Sequence, residues 1–128
     1  MPKTFLLAGA LFALFAVAAG AFGAHFLRSH LTPEMLGIFE IAVRYQMYHA
    51  LALLAAGLAL QRSDLRWLRY GGYSFIAGII IFSGSLYLLS LTGTRQWGVA
   101  TPFGGIAFLA GWLCLAAGFL SQDAPRHN

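Results

Sequence analysis

The sequence predicts an all-α integral membrane protein, an antiparallel four-helix bundle that crosses the bilayer. Of its 128 residues, 59% are hydrophobic and only 9% are charged. An ordinary soluble domain has about 25% charged residues, so this chain has too few charges to cover a soluble surface. Uncharged apolar stretches of about 20 residues recur along the chain, which is the length that a helix needs to cross a bilayer core of about 30 Å. These stretches occupy nearly the whole sequence, so we expect a single transmembrane domain, 1–128.

The first span is expected at about 4–24. Small residues recur in it at spacings of four and three, namely Gly9, Ala13, Ala16, Gly20 and Gly23. Such a stripe lets a neighbouring helix approach closely in lipid. The alternative is a secretory signal peptide, because Lys3, the apolar run and Ala16-Val17-Ala18 resemble its three regions. A cleaved leader has no use for a packing stripe, so we expect this span to be retained.

The other three spans follow from helix-start signals and short loops. Thr32-Pro33 predicts a helix start, and we expect a short amphipathic lead-in that turns near Gly37 into the second span, about 38–60. A basic loop with an interfacial Trp67 precedes the third span, about 70–91. The fourth span, about 101–121, begins at Thr101-Pro102. It has its own stripe of small residues: Gly104, Ala107, Gly111, Cys114 and Gly118.

The basic residues predict the orientation of the chain. One side holds Lys3, Arg62, Arg66, Arg69 and Arg126, and the other holds Arg28, Arg95 and, near the boundary, Arg44. The positive-inside rule then places both termini in the cytoplasm. The net charge of +4 is divided among loops, so we expect no nucleic-acid partner. Cys114 is the only cysteine and lies in an apolar run, which excludes a disulfide framework and indicates a packing residue.

Polar side chains gather where the second span begins, within residues 40–49. Such groups are costly in hydrocarbon and normally face other helices or a wet cavity. Glu40 and Arg44 are four residues apart and can pair on one helical face. Because the polar residues surround more than half of the helix, we expect this segment inside the bundle, against spans one and three. The candidate polar cluster or ligand-binding site is His25, Glu40, Arg44, Tyr45, Gln46, Tyr48, His49, Ser83 and Tyr87.

His49 has three interpretations. It can bond to a neighbouring helix and hold the bundle together, or it can carry protons, since an imidazole titrates near physiological pH. It can also ligate haem or a metal together with His25, although no carboxylate cluster accompanies the two histidines. The stretch Phe82-Ser83-Gly84-Ser85 lacks the flanking pattern of a hydrolase nucleophile. We therefore expect no catalytic residue, no metal and no cofactor.

Several motifs together indicate a family. They are Gly20-Ala21-Phe22-Gly23-Ala24-His25, Tyr45-Gln46-Met47-Tyr48-His49-Ala50-Leu51, Phe82-Ser83-Gly84-Ser85-Leu86-Tyr87 with Leu91-Thr92-Gly93, and Thr101-Pro102-Phe103-Gly104-Gly105 with Gly111-Trp112. In all four spans, and in order, the chain resembles the YgdD-like family of small bacterial inner-membrane proteins, which has animal relatives. The resemblance implies a multi-pass protein of the bacterial inner membrane. It implies no activity.

Besides a haem or quinone protein that uses His25 and His49, two functions remain open at the level of sequence. The first is a non-enzymatic membrane protein that packs with itself or with a membrane-protein partner, in contact with membrane lipid. Its polar cluster then serves structure and specificity. The alternative is a small channel or transporter for a proton or small solute, with Arg44, Tyr45, Gln46 and His49 lining the path.

Overall fold

A computed structural model describes residues 2–122, which form helices joined by short connections and contain no strand. The four main helices are α1 (Pro2–His25), α2 (Pro33–Arg62), α3 (Arg66–Thr92) and α4 (Thr101–Gln122). Short 3-10 turns at Leu27–Ser29 and Arg95–Val99 precede α2 and α4. The predicted all-α class is confirmed.

The helices form two antiparallel hairpins, α1–α2 and α3–α4. In the first, Gly57 near the end of α2 lies against Leu6 at the start of α1, and Gly23 near the end of α1 lies against Phe39 near the start of α2. The second hairpin has the same arrangement, since Gly118 near the end of α4 lies against Leu68 near the start of α3, and Gly104 near the start of α4 lies against Phe82. Contacts between α2 and α3 join the two hairpins into one bundle.

Both predicted stripes of small residues face the neighbouring helix of their hairpin. A Cβ atom added at Gly9 would lie 2.9 Å from the backbone oxygen of Ala50. One added at Gly111 would lie 2.6 Å from the ring of Phe75. Real Cβ atoms do not approach other heavy atoms so closely, so the glycines set the distance between the paired helices. The sequence-based role of the stripes is confirmed.

The hydrophobic core lies in the half of the bundle that contains the start of α1 and the end of α2. Phe5, Leu53, Leu68 and Phe75 are fully buried there. The ring of Phe5 occupies the space above Gly72, where a Cβ would lie 2.3 Å from it. The buried polar residues are not members of this cluster; they are Gln46, His49, Ser83, Ser85 and Ser90.

Helix α2 is continuous, so the expected lead-in before Gly37 and the second span are parts of one helix. Thr32 caps the helix as expected, because its Oγ1 accepts a hydrogen bond of 3.2 Å from the backbone N–H of Met35. The helix then runs without a break to Arg62. Its 30 residues span about 45 Å, longer than a bilayer core of about 30 Å.

Within residues 2–122, three helical stretches are long and apolar enough to cross a membrane: Pro2–His25, Arg66–Thr92 and Arg95–Gln122. Helix α2 is not one of them, although the predicted span 38–60 lies inside it. The other predicted spans also lie inside helices. Within α3, residues Ile79–Ser83 form a π-helical segment. A Cβ at Gly104 would lie 2.4 Å from the backbone nitrogen of Phe82 in this segment, so α4 packs directly on its backbone.

The loops fall into two groups at opposite ends of the bundle. At one end, Arg95 pairs with Glu34 at 3.0 Å and joins the start of α2 to the turn before α4. At the other end, Arg69 pairs with Asp64 at 3.2 Å. This grouping matches the predicted sides for the basic residues that the structure describes. Arg126, the last of that set, lies outside the described residues.

Candidate functional site

Gln46 connects three helices through one side chain. It lies in the middle of α2 and is 6% exposed. Its Nε2 donates a hydrogen bond of 2.8 Å to the backbone oxygen of Phe12 in α1. Its Oε1 accepts a hydrogen bond of 2.7 Å from the hydroxyl of Tyr87 in α3. A single buried amide thus links α2 to α1 and α3, as the expected contact with spans one and three requires.

Two serines of α3 add hydrogen bonds to other helices. The fully buried Ser83 donates from Oγ to the backbone oxygen of Ala42 in α2, at 2.8 Å. The hydroxyls of Ser85 and Thr101 are 2.6 Å apart and connect α3 to the first residue of α4. Hydroxyls in membrane helices often bond in this way, so these contacts hold helices in register.

His49 connects α2 to α4, and its hydrogen bonds define its tautomer. The indole N–H of Trp112 donates to Nε2 at 3.1 Å. Because an indole nitrogen can only donate, Nε2 must carry a lone pair. Nδ1 lies 2.7 Å from the backbone oxygen of Tyr45, which can only accept, so Nδ1 carries the proton. His49 is therefore a neutral imidazole with both nitrogens in use, stacked on Phe108 at a centroid distance of 3.5 Å.

This arrangement leaves His49 no free lone pair for a metal or haem iron. His25, the other histidine of that interpretation, is exposed at the end of α1 and is not part of the network. No group of three or more His, Cys, Asp or Glu side chains in the described part of the chain is placed to hold a metal ion. The interpretation of His49 as a residue that holds the bundle together requires a hydrogen bond to a neighbouring helix. The bond from Trp112 in α4 meets this requirement.

Only part of the predicted cluster lies inside the bundle. Gln46 and His49 are buried, whereas Glu40, Arg44, Tyr45 and Tyr48 are exposed, so the expectation that the whole segment is covered is wrong. The reason is geometric, because α1 and α3 cover only one side of α2 and residues on its opposite side remain uncovered. The expected pairing of the two charged residues is also absent, since none of the ion pairs among residues 2–122 joins them.

The exposed tyrosines form an aromatic face with side chains of α3 and α4. This aromatic face consists of Tyr45, Tyr48, Phe82 and Trp112, and the buried ring of Phe108 packs against Tyr45 and Phe82. The ring of Tyr45 packs on Phe82 at 4.7 Å and lies 5.9 Å from the ring of Tyr48. Tyr45 is 39% and Tyr48 is 55% exposed. Among the hydrogen bonds of the described residues, none involves either tyrosine hydroxyl.

A separate surface cavity of about 210 Å³ lies between α1 and α2. Glu40 and Arg44 form its charged side. The remainder is apolar and is lined by Gly20, Gly23, Phe39 and Val43. We call it the charged cavity. It contains neither Gln46 nor His49 in its lining, so it is distinct from the buried hydrogen-bond network.

The sequence-based cluster omitted several participants, among them Trp112, Ser85, Thr101 and the backbone oxygen of Phe12. Trp112 did carry a signal, because tryptophan in membrane helices concentrates at the interfaces and this one lies in the middle of a span. An interior tryptophan needs a partner for its N–H. The backbone oxygen had no signal, since every residue of a helix has one.

The fold and the network define a class: a small α-helical membrane protein in which one central helix is hydrogen-bonded to its three neighbours. The family described as "Protein of unknown function (DUF423)" matches residues 19–105. The chain belongs to this family.

Relatives support the same assignment and the predicted resemblance to YgdD-like proteins. The UPF0382 membrane protein SSP2132 of Staphylococcus saprophyticus is 46% identical over 116 residues, which is 91% of this chain and 96% of the relative. The UPF0382 membrane protein YwdK of Bacillus subtilis is 43% identical over 88% of this chain and 93% of its own length. The UPF0382 inner membrane protein YgdD of Escherichia coli is 40% identical over 80% of this chain and 78% of its own length. No solved structure matches the chain.

Proposed function

We propose that this protein is a non-enzymatic membrane protein that works by associating with a second copy of itself through the aromatic face. The observation that carries the proposal is the exposure of Tyr48, whose hydroxyl has no hydrogen bond among the described residues and which lies at the middle of α2. A polar group at that depth in hydrocarbon is costly unless another chain provides a partner. The printed names of the relatives denote membrane proteins and no enzyme.

The buried polar groups support a structural rather than a chemical role. The amide of Gln46 bonds to α1 and to the hydroxyl of Tyr87 in α3. The ring nitrogens of His49 bond to the backbone of its own helix and to Trp112 in α4. No buried side-chain nitrogen or oxygen of the described residues lacks a partner. A reaction needs a group that is free to meet the substrate, and this network has none to offer.

Symmetry favours a second copy as the partner. Two copies inserted in the same orientation place Tyr48 at the same depth, and a phenol hydroxyl can both donate and accept. A two-fold interface is therefore self-complementary at this position, with one Tyr48 donating to the other. The flat, exposed rings of Tyr45 and Trp112 flank the contact and add packing area.

Removing only the hydroxyl tests the proposal. Tyr48→Phe loses one hydrogen bond across the interface, about 0.6 kcal/mol in a membrane, so the dimer dissociation constant should rise about threefold. The measurement is energy transfer between labelled copies as the protein-to-lipid ratio is varied. Tyr48→Ala, which also loses the ring, should weaken the dimer further. Tyr70→Phe, at an exposed tyrosine outside the aromatic face, should change nothing.

Two results would contradict the dimer. One is a single, monomeric species at every protein-to-lipid ratio. The other is a dimer whose dissociation constant is the same for wild type, Tyr48→Phe and Tyr48→Ala. The melting temperature of each variant, measured in detergent, checks that the protomer is intact, since the hydroxyl of Tyr48 has no hydrogen-bond partner among residues 2–122.

The bacterial inner membrane and cytoplasmic termini complete the proposed setting. The Escherichia coli relative is named an inner membrane protein. The end that holds Arg62, Arg66 and Arg69 carries more positive charge than the end that holds Arg28 and Arg95, and basic loops stay in the cytoplasm. The even number of helices is consistent with both ends on that side. A reporter that is active only in the cytoplasm should be active when it is fused to either terminus, and a reporter that is active only outside the cytoplasm should be inactive.

A further inference from the structure

The charged cavity contains two opposite charges that do not neutralise each other. Glu40 and Arg44 are one helical turn apart, a spacing of about 5–6 Å between Cβ atoms that permits an ion pair. None forms between them, and both side chains are exposed beside the cavity. Within the predicted span 38–60, Arg44 lies about 9 Å inside the boundary. An unpaired guanidinium at that depth is costly unless it reaches the interface or binds an anion there.

The direction of the side chains indicates where the anion comes from. Side chains on a helix lean toward its N-terminus, which for α2 is the nearer membrane surface. A long arginine side chain therefore extends from Arg44 toward the headgroup layer. Glu40 lies one turn closer to that surface. The two charges are thus ordered by depth, with the cation deeper and the anion shallower.

A zwitterionic phospholipid has the complementary order. Its phosphate is attached to the glycerol and lies deeper, and its terminal amine extends outward. The apolar part of the cavity, formed by Gly20, Phe39 and Val43, lies beside the charges, where the glycerol and the first acyl carbons would sit. A Cβ at Gly20 would already lie 3.4 Å from Val43. The absence of side chains at the glycines is what leaves this space open.

We propose that the charged cavity binds the headgroup of a phosphatidylethanolamine lipid. Arg44 donates hydrogen bonds to the phosphate, an oxyanion that a guanidinium fork fits well. Glu40 accepts from the primary ammonium, which has three N–H donors. A quaternary choline has no N–H to donate, so Glu40 discriminates between the two zwitterionic lipids. The site is independent of the proposed dimer, because neither residue belongs to the aromatic face.

Native mass spectrometry of the detergent-solubilised protein tests this site with three probes: palmitoyl-oleoyl phosphatidylethanolamine, the matching phosphatidylcholine and the matching phosphatidylglycerol. We expect the ethanolamine lipid to bind about tenfold more tightly than the choline lipid, because one charge-assisted hydrogen bond is lost with choline. The glycerol lipid, which has no cation for Glu40, should also bind more weakly. Equal binding of all three, stronger binding of the glycerol lipid, or no bound lipid would overturn the proposal.

Variants test the roles of the two charges separately. Arg44→Gln should weaken the binding of both zwitterionic lipids about tenfold. Glu40→Gln should weaken the binding of the ethanolamine lipid alone, to the affinity of the choline lipid. Arg62→Gln, at an exposed arginine on the same helix but far from the cavity, should leave binding unchanged. An ethanolamine preference that survives Glu40→Gln would overturn the assignment.

A variant without any change of charge provides a second check on the cavity. Gly20→Ala places a methyl group at an ordinary contact distance from Val43 and narrows the space without disturbing the helix pair. All lipids should then bind more weakly by a similar factor. Unchanged binding in Gly20→Ala would show that the lipid does not occupy the cavity.

Discussion

The replacement of Gln46 by methionine measures the contribution of the buried network. Methionine has nearly the length and volume of glutamine but cannot form its hydrogen bonds. The variant therefore removes the bonds to the Phe12 backbone oxygen and to the Tyr87 hydroxyl, at 2.8 and 2.7 Å, while it keeps the packing. It also leaves the hydroxyl of Tyr87 without an acceptor.

The expected loss of stability follows from the two bonds. Hydrogen bonds between membrane helices contribute about 0.6 kcal/mol on average and at most about 1.7 kcal/mol each. Gln46→Met should therefore lower the free energy of unfolding by about 1.2 kcal/mol, and by no more than about 3.4 kcal/mol. Combined with Tyr87→Phe in a double-mutant cycle, it should show a coupling energy of about 0.6 kcal/mol.

Titration of the protein from mild micelles into dodecyl sulfate provides the unfolding free energy. Gln61→Met is the matched control, because Gln61 is exposed near the end of the same helix, and it should leave stability nearly unchanged. Equal stability of Gln46→Met and Gln61→Met would contradict a stabilising role for the two hydrogen bonds. A coupling energy of zero with Tyr87→Phe would show that the bond between the two side chains contributes nothing.

Two further predictions concern helix packing and solvent access. Gly104→Ala should strongly destabilise the bundle, because the new Cβ would lie 2.4 Å from the backbone nitrogen of Phe82. Gly105→Ala should be neutral or slightly stabilising, because nothing lies within 4 Å of a Cβ there. Thermal unfolding of the two variants measures the difference. In a Cys114→Ser background, cysteines at positions 45, 46 and 49 should resist a water-soluble maleimide, while one at the exposed loop position 64 should react. Labelling at 46 and 49 would instead support a channel or transporter.

The sequence predicted those features that depend on one helix at a time. The small residues around Gly9 and Gly111 mark the faces at which helices pair, because only such residues allow backbones to approach. The cap at Thr32 depends on a hydrogen bond within the first turn of the helix, so the local sequence was sufficient to predict it. The grouping of basic loops at two ends followed from the alternation of spans.

The sequence did not predict features that depend on how helices are rotated against each other. Polar and aromatic residues surround α2, so periodicity alone did not show that Gln46 and His49 face inward while Tyr48 faces outward. The bond from Trp112 to His49 joins residues 63 positions apart, and no local pattern indicates it. The π-helical segment in α3 likewise had no sequence signal.

The pairing of α1 with α2 bears on how the chain enters the bilayer during its synthesis. Of the four main helices in residues 2–122, α2 is the one that is not among those long and apolar enough to cross a membrane. Helix α1 is long and apolar enough to cross a membrane, and it leaves the ribosome before α2. Its glycines allow α2 to pack closely against it. We therefore expect the two to insert together as a hairpin, with the earlier helix supplying the hydrophobicity that the later one lacks. Substitutions at those glycines should then reduce the amount of inserted protein before they affect the stability of the mature molecule.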